Sequence, residues 1–243
     1  MFDLSGKTAL VTGSSQGIGM AVAACLAENG AKVFVHASKS IEKAKRAAEQ
    51  MKGICEAVVA DLSQDGSAEK LYKQTGDVDI LVLNASVQYR EKWDMITSDE
   101  FDTQIKVNLK SSLELMQLYA KSMKEKRYGR IVTVGSVQQY KPHVDMAVYA
   151  ASKCAQMSLV KNISKQLAPF GITVNNMSPG VIATPRNEEA LSNEEYKIKV
   201  LSGIPAGYAG EAFDCAAPVL LLCSKEGRYI TGTDLIVDGG MHL

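Results

Sequence analysis

Long apolar runs are missing from this chain of 243 residues: no segment approaches the roughly 18 to 20 continuous apolar positions that a membrane-crossing helix needs. The opening "MFDLSGKTALVTG" also has no basic stretch leading into a long apolar one. A secretory signal is therefore not expected, and the protein should be soluble and unprocessed, with no membrane partner. An excess of one charge is missing as well. With 27 basic and 27 acidic residues, no long-range field would draw the protein to nucleic acid or to anionic lipid. Cysteine is sparse and scattered. Cys25, Cys55, Cys154, Cys215 and Cys223 include no C-x-x-C pair, which argues against a disulfide framework and against a thiolate zinc site. They read as reduced core thiols of a cytoplasmic protein. His36, His143 and His242 show no metal-ligand spacing, so no metal is expected. Low-complexity tracts, linkers and repeats beyond a strand and a helix are also absent, and an α/β chain of this length commonly forms one domain.

What is present is an alternation of short apolar runs with amphipathic ones. "KTALVT", "AKVFVH", "CEAVVA" and "VDILVLN" read as strands, separated by helical patterns at Ile18 to Asn29, at Ile41 to Met51 and near Leu71. The second half continues with one long helix from about Asp99 to Lys126, the strand "RIVTVG", a helix from Ala147 to Ala168 and the strand "ITVNNMS". A helix near Glu211 to Ser224 and the strand "DLIVDGG" follow. Strands alternating with helices predict parallel strands with right-handed crossovers. The expected fold is therefore a single doubly wound domain, a seven-stranded parallel sheet with helices on both faces. Residues 187 to 208 form the one long insertion between regular elements, either a lid over a site or a surface loop.

Between the first strand and first helix stands "TGSSQGIG", with Gly13, Gly17 and Gly19. A tight turn, close approach of backbone to a phosphate, and close helix packing each exclude a Cβ. The helix behind the turn would offer its free N–H groups to the same phosphate. Further on, "VYAASK" sets Tyr149 four residues before Lys153, with small residues between. That spacing puts a phenol and an ammonium on one helix face, where a ligand can approach closely. One such pair is expected by chance, so alone it carries little.

Six signals in order, however, make the chain resemble the short-chain dehydrogenase/reductase family over nearly its whole length. They are "TGSSQGIG"; "ADLS" after the third strand; "LNAS" after the fourth; "VNL" in the long helix; "VGS" with "YAASK" thirteen residues beyond its serine; and "PGVIAT" after the sixth strand. The resemblance implies a Rossmann fold, a nicotinamide dinucleotide, hydride transfer between an alcohol and a carbonyl, and a homotetramer. It implies a catalytic set of Asn108, Ser136, Tyr149 and Lys153. A free phenol, with a pKa near 10, is only about 0.1% ionised at pH 7, and a nearby cation can lower that pKa by about 1 to 3 units. Lys153 thus serves Tyr149, the expected general acid and base. Ser136 would hold the substrate oxygen. The resemblance also has Lys153 bind ribose hydroxyls and Asn108 hold a water that links Lys153 to solvent.

For the cofactor, Ser15, Gln16 and Ile18 belong to the glycine turn, and Asp61 with Leu62 resembles an adenine contact, the alternative being a helix N-terminal carboxylate. Asn84 and Ala85 resemble the family's N-N-A-G segment, from which this chain departs at Leu83 and Ser86; a glycine-like backbone at Ser86 would be strained. Pro179, Gly180, Ile182 and Thr184 resemble the segment beside the carboxamide. At the end of the second strand, where an NAD enzyme places a carboxylate on the ribose, "VFVHASKS" has Ala37 and no acid. Ser38, Lys39 and possible donation from His36 favour a 2′-phosphate, hence NADP(H) over NAD(H), although Gln16 stands where NADP-preferring relatives often carry arginine.

Substrate-binding candidates are Ser136, Gln138, His143, Tyr149 and Asn187, with Gln88 in the same loops. They are mostly polar, and the C-terminal third is similar to bacterial glucose and sugar-acid dehydrogenases, so a sugar or polyol is expected. The alternatives are a 3-oxoacyl-[acyl-carrier-protein] reductase and, from another class, a redox sensor that binds a dinucleotide without turnover. The basic cluster Lys121, Lys124, Lys126, Arg127 and Arg130 precedes the fifth strand, away from the site, and reads as cations answering a helix dipole.

Overall fold

Consecutive side chains of a strand point to opposite faces of its sheet, and "TALV" uses both. In the computed structural model, which describes residues 1–243 apart from the side chains at 189, 190 and 196, Ala9 and Val11 of β1 (Thr8–Val11) enter one core and Leu10 the other. The first half runs α1 (Gly17–Glu28), β2 (Lys32–Ala37), α2 (Ile41–Glu49), β3 (Cys55–Val59), α3 (Ser67–Thr75) and β4 (Ile80–Leu83). The second half comprises α4 (Ser98–Ile105), α5 (Ser111–Lys126), β5 (Gly129–Val134), α6 (Ala147–Leu167), β6 (Ile172–Pro179), a two-residue β7 (Ile182–Ala183), α7 (Glu188–Ser192), α8 (Glu194–Ser202), β8 (Gly210–Glu211), α9 (Ala212–Cys223) and β9 (Asp234–Val237).

Seven strands pair in parallel in the order β3-β2-β1-β4-β5-β6-β9, and β7 pairs separately with β8. One core packs α1 and α9 on the sheet through Val22, Leu26, Val219 and Leu222; the other packs α3, α5 and α6 through Leu71, Leu115, Met123 and Val160. Fully burying a side chain such as Leu115 contributes about 1.5–3 kcal/mol. Because β1 lies between β2 and β4, the chain leaves β1 in one direction and β4 in the other. The gap this opens at the carboxyl ends is where such sheets take ligands.

Four expectations change. The long helix is interrupted between α4 and α5 by a π turn over Lys106–Lys110, where the hydroxyls of Ser111 and Ser112 accompany the wider turn by donating to the carbonyls of Val107 and Asn108 at 2.7 and 3.2 Å. The insertion at 187 to 208 is largely helical, as α7 and α8, rather than an irregular loop. The thiols are free, but Cys154 is exposed and Cys55 half-buried, so they are not all core residues. Arg130 is no surface cation: it is buried in β5 and donates to the carbonyls of Ser224, Gly129 and Gly171. Among the described residues no helix is long and apolar enough to cross a membrane, and no cluster of His, Cys, Asp or Glu could hold a metal.

Candidate active site

A cleft of about 670 Å³ opens at the carboxyl ends of the strands around β1 and β4. The glycine turn forms one wall. Gly13 and Gly17 have φ of +64° and +58°, the left-handed region that favours glycine. A Cβ on Gly19 would lie 2.4 Å from Asn84 Nδ2 and 2.5 Å from the Gly13 carbonyl, so Gly19 serves close helix packing and does not line the cleft. At the start of α1, Gln16 makes no side-chain cap, which leaves the N–H groups of the first turn available to an anion.

Two strands hold the turn in shape. Asn84 Nδ2 donates to the carbonyls of Thr12 and Gly13 at 2.9 and 3.1 Å. From the other side, Gly13 N donates to His36 Nδ1 at 2.9 Å while His36 Nε2 lies 2.8 Å from the Ala60 carbonyl. Since Nδ1 accepts, the proton is on Nε2, and burial pushes the ring below the usual histidine pKa. His36 is therefore a neutral brace with both nitrogens occupied, and the expected donation to a phosphate is corrected.

At the adenosine end the cleft is lined by Ala37, Ser38, Lys39, Asp61 and Leu62, and by Lys43, whose ammonium donates to Gln16 Oε1. Lys43 carries no mark in the sequence because it lies within the first turn of α2, beyond the strand end, and only the approach of that helix to the glycine turn brings it here. Burial pushes the Asp61 carboxyl up, but the Ser63 hydroxyl and N–H at 2.7 and 3.1 Å and Lys39 at 4.0 Å hold it below the usual range. Ser15, Gln16, Gly17, Ile18, Asn84, Ala85, Pro179, Gly180, Ile182 and Thr184 all line the cleft. Ser86 carries no left-handed backbone, since Phe2 and Arg127 are the non-glycine residues with positive φ, so the anticipated strain does not arise. Leu83 is a buried core residue of β4.

At the other end stand Ser136, Gln138 and Tyr149. Ser136 follows β5 and caps a short 3-10 turn, with its N–H donating to Gln139 Oε1 at 3.0 Å and its Oγ accepting from Gln138 N at 3.2 Å. Tyr149 is buried in α6 apart from the edge that meets the cleft, and no hydrogen bond from its hydroxyl occurs among the described residues. Beneath it the ammonium of Lys153 lies 5.8 Å from the ring centre. Lys153 is 1% exposed and donates to the Val134 carbonyl at 2.7 Å and to Gln156 Oε1 at 3.3 Å. Burial, then the charge of Arg186, lowers its pKa to about 7. Asn108, in the π turn, is fully buried and sutures the loop after β4: its Oδ1 accepts from Val87 N at 2.9 Å and its Nδ2 donates to Val87 O at 3.0 Å.

Two substrate candidates differ from expectation. His143 does not line the cleft; its N–H donates to Gln138 Oε1 at 2.6 Å and so fixes the amide that does. Asn187 lines it, but its amide is tied to the Ile182 carbonyl at 2.9 Å. Gln139, Gln156 and Arg186 were not read as site residues. Gln156 resembles any polar helix residue until packing buries it, Gln139 until it accepts from Ser136 N and donates to Asp234, and Arg186 sits one position before the insertion.

A glycine cradle with free helix N–H groups, cations at one end and a Tyr, Ser and Lys at the other fit a nicotinamide dinucleotide, and fold and site define an oxidoreductase of the Rossmann class. Residues 13–242 match the family model described as enoyl-(acyl carrier protein) reductase. The 3-oxoacyl-[acyl-carrier-protein] reductase FabG of Haemophilus influenzae is 37% identical over 99% of this chain and 100% of its own length. A 3-oxoacyl (acyl-carrier-protein) reductase from Agrobacterium tumefaciens C58, solved with NADP bound, is 32% identical with a TM-score of 0.95 over 98% of this chain and 95% of that one. A gluconate 5-dehydrogenase from Burkholderia cenocepacia J2315, solved with NADP and tartrate, is 30% identical with a TM-score of 0.91 over 99% and 96%. The chain belongs to the short-chain dehydrogenase/reductase family.

Proposed function

We propose that this protein is an NADP(H)-preferring oxidoreductase that interconverts an alcohol and a carbonyl on a small hydroxylated substrate of the sugar, polyol or sugar-acid type. The observation that carries the substrate class is the lining beyond Tyr149, where Gln88, Gln138, Arg186 and Asn187 face the cleft. An acyl chain would bury the donors and acceptors that these groups have left over after their bonds within the protein, each such unpaired group costing roughly 1–3 kcal/mol. Similarity to the gluconate 5-dehydrogenase supports this reading. The second reading, a 3-oxoacyl-[acyl-carrier-protein] reductase, is favoured by the 37% identity to the Haemophilus enzyme.

The bound dinucleotide supplies or accepts the hydride. Gly13, Gly17 and the first turn of α1 would hold its pyrophosphate, and Ser38, Lys39 and Lys43 a 2′-phosphate, with no acid between Ala31 and Ile41 to repel it. Tyr149 Oη gives a proton to the substrate oxygen during reduction and takes one during oxidation. Ser136 Oγ donates a hydrogen bond to the same oxygen and orients it. Protonated Lys153 beneath the ring favours the phenolate electrostatically. The buried walls under Tyr149 keep water from Lys153 and strengthen that interaction. Free thiols fit a cytoplasmic setting, and a homotetramer follows from the family resemblance; sedimentation of the purified protein tests the latter.

Screening sugars, polyols, sugar acids and acetoacetyl thioesters by the absorbance of the reduced nicotinamide tests the whole reading. Turnover of a hydroxylated substrate supports it. Turnover of the thioester alone establishes the second reading, and binding without turnover overturns both.

A further inference from the structure

At the reaction end of the cleft the exposed guanidinium of Arg186 has neutral partners among the described residues. Arg186 follows β7 on one lip, and across the mouth its Nη1 and Nη2 donate to the hydroxyl and carbonyl of Ser86 at 3.0 and 2.8 Å. Ser86 belongs to the opposite lip, after β4, and both residues line the cleft. Both acceptors are neutral. Among the described residues Arg186 has no carboxylate within ion-pair distance. Among the described residues Asp61 is the one acid lining the cleft, and it stands at the adenosine end beside Lys39. Structural arginines are usually answered by a carboxylate or sealed by several carbonyls, as Arg130 is in this chain. Arg186 is exposed and answered only in part.

We propose that Arg186 is the substrate-recognition group for a carboxylate, that the substrate is accordingly a hydroxy or keto acid, and that Ser86 holds the guanidinium ready across the mouth of the cleft. The assignment rests on the sugar, polyol or sugar-acid reading above and narrows it to its acidic members. A guanidinium presents five donors in a flat fork that matches a carboxylate, and the two bonds to Ser86 leave three donors free. The Ser86 acceptors are neutral, whereas a carboxylate adds an opposite charge to the pair, so an arriving carboxylate outcompetes them. Position supports substrate over the cofactor's adenosine phosphate. The field of Arg186 reaches Lys153, where it is the second cause, after burial, of the lowered pKa, which places the charge beside the reacting groups. The adenosine end has its own cations in Lys39 and Lys43.

The test compares wild type with Arg186→Gln and Arg186→Lys on gluconate and on glucitol, its uncharged counterpart, with cofactor affinity measured by fluorescence titration. In Arg186→Gln, kcat/KM for gluconate should fall about 10- to 100-fold, mainly through KM, with glucitol and cofactor affinity changed less than about threefold and Arg186→Lys intermediate. Equal losses on both substrates, or a loss residing in cofactor affinity, would overturn the assignment; the latter outcome would give the guanidinium to the cofactor's phosphates. If wild type turns over neither compound, the wider screen of sugars, polyols, sugar acids and thioesters decides the broader reading by itself. The carboxylate site is then tested against whichever substrate is active. Tartrate should inhibit wild type competitively and Arg186→Gln at least about tenfold more weakly, and absence of inhibition in wild type counts against the site.

Discussion

Gln156 places its amide oxygen 3.3 Å from the Lys153 ammonium and its amide nitrogen 3.2 Å from the Asn108 carbonyl and 2.9 Å from Ser112 Oγ. The family resemblance implies that Asn108 holds a water linking Lys153 to solvent; within the protein the fully buried Gln156 side chain also joins Lys153 to the Asn108 carbonyl. An amide gives one donor side and one acceptor side and does not pass a proton along. Gln156 is a positioning residue for Lys153, one of two neutral acceptors that stabilise its charged form.

Gln156→Leu should therefore lower the Lys153 pKa further, because an acceptor of the charged form is lost. Activity should fall more at pH 8–9 than at pH 6–7, and Gln156→Glu, which sets a carboxylate beside the ammonium, should move the high-pH limb the other way. Profiles of kcat/KM against pH for the three proteins decide it; superimposable profiles would remove the role.

Lys153 also makes a stability prediction. Its pKa is about 7 in the cofactor-free fold, against about 10.4 for an unperturbed lysine. Below pH 7 both states are protonated and this group adds no pH dependence. Between about 7 and 10.4 the unfolded chain holds the extra proton, so stability rises with pH by up to about 1.4 kcal/mol per unit. Denaturant titrations of wild type and Lys153→Met from pH 7 to 9 should show wild type gaining relative to the variant, and parallel curves would contradict the lowered pKa.

Tyr149→Phe removes the proton donor and leaves the glycine turn untouched. Turnover should fall at least about 100-fold, since a positioned acid or base contributes about 10² to 10⁴, with cofactor affinity retained. Near-normal turnover would end the assignment of Tyr149 as acid and base.

Ala37→Asp places a carboxylate at the end of β2 among Ser38, Lys39 and Lys43. It would repel a 2′-phosphate and accept ribose hydroxyls instead. The ratio of kcat/KM for NADP to that for NAD should invert; a wild-type ratio already favouring NAD would show that the missing acid does not set the preference.

The period of the apolar pattern determined the fold, because a strand that buries both faces and a helix that buries one leave different marks in a sequence. Local rules likewise marked the glycine turn and the Tyr149–Lys153 spacing, since both depend on neighbours a few residues away. Folding decided everything that depends on chain segments brought together from afar. His36 looked like a free donor until β2 placed it against Gly13 and Ala60, 23 and 24 residues away. Asn108 lay in an expected regular helix until the π turn aimed its side chain at Val87. Gln156 reaches Asn108 only because α6 crosses the π turn, and Arg186 meets Ser86 only because β4 and β6 deliver two loops to one mouth. Side-chain hydrogen bonds across such separations carry no periodicity, so the backbone's repeating geometry was written in the sequence while the partners of its buried polar groups were settled by packing.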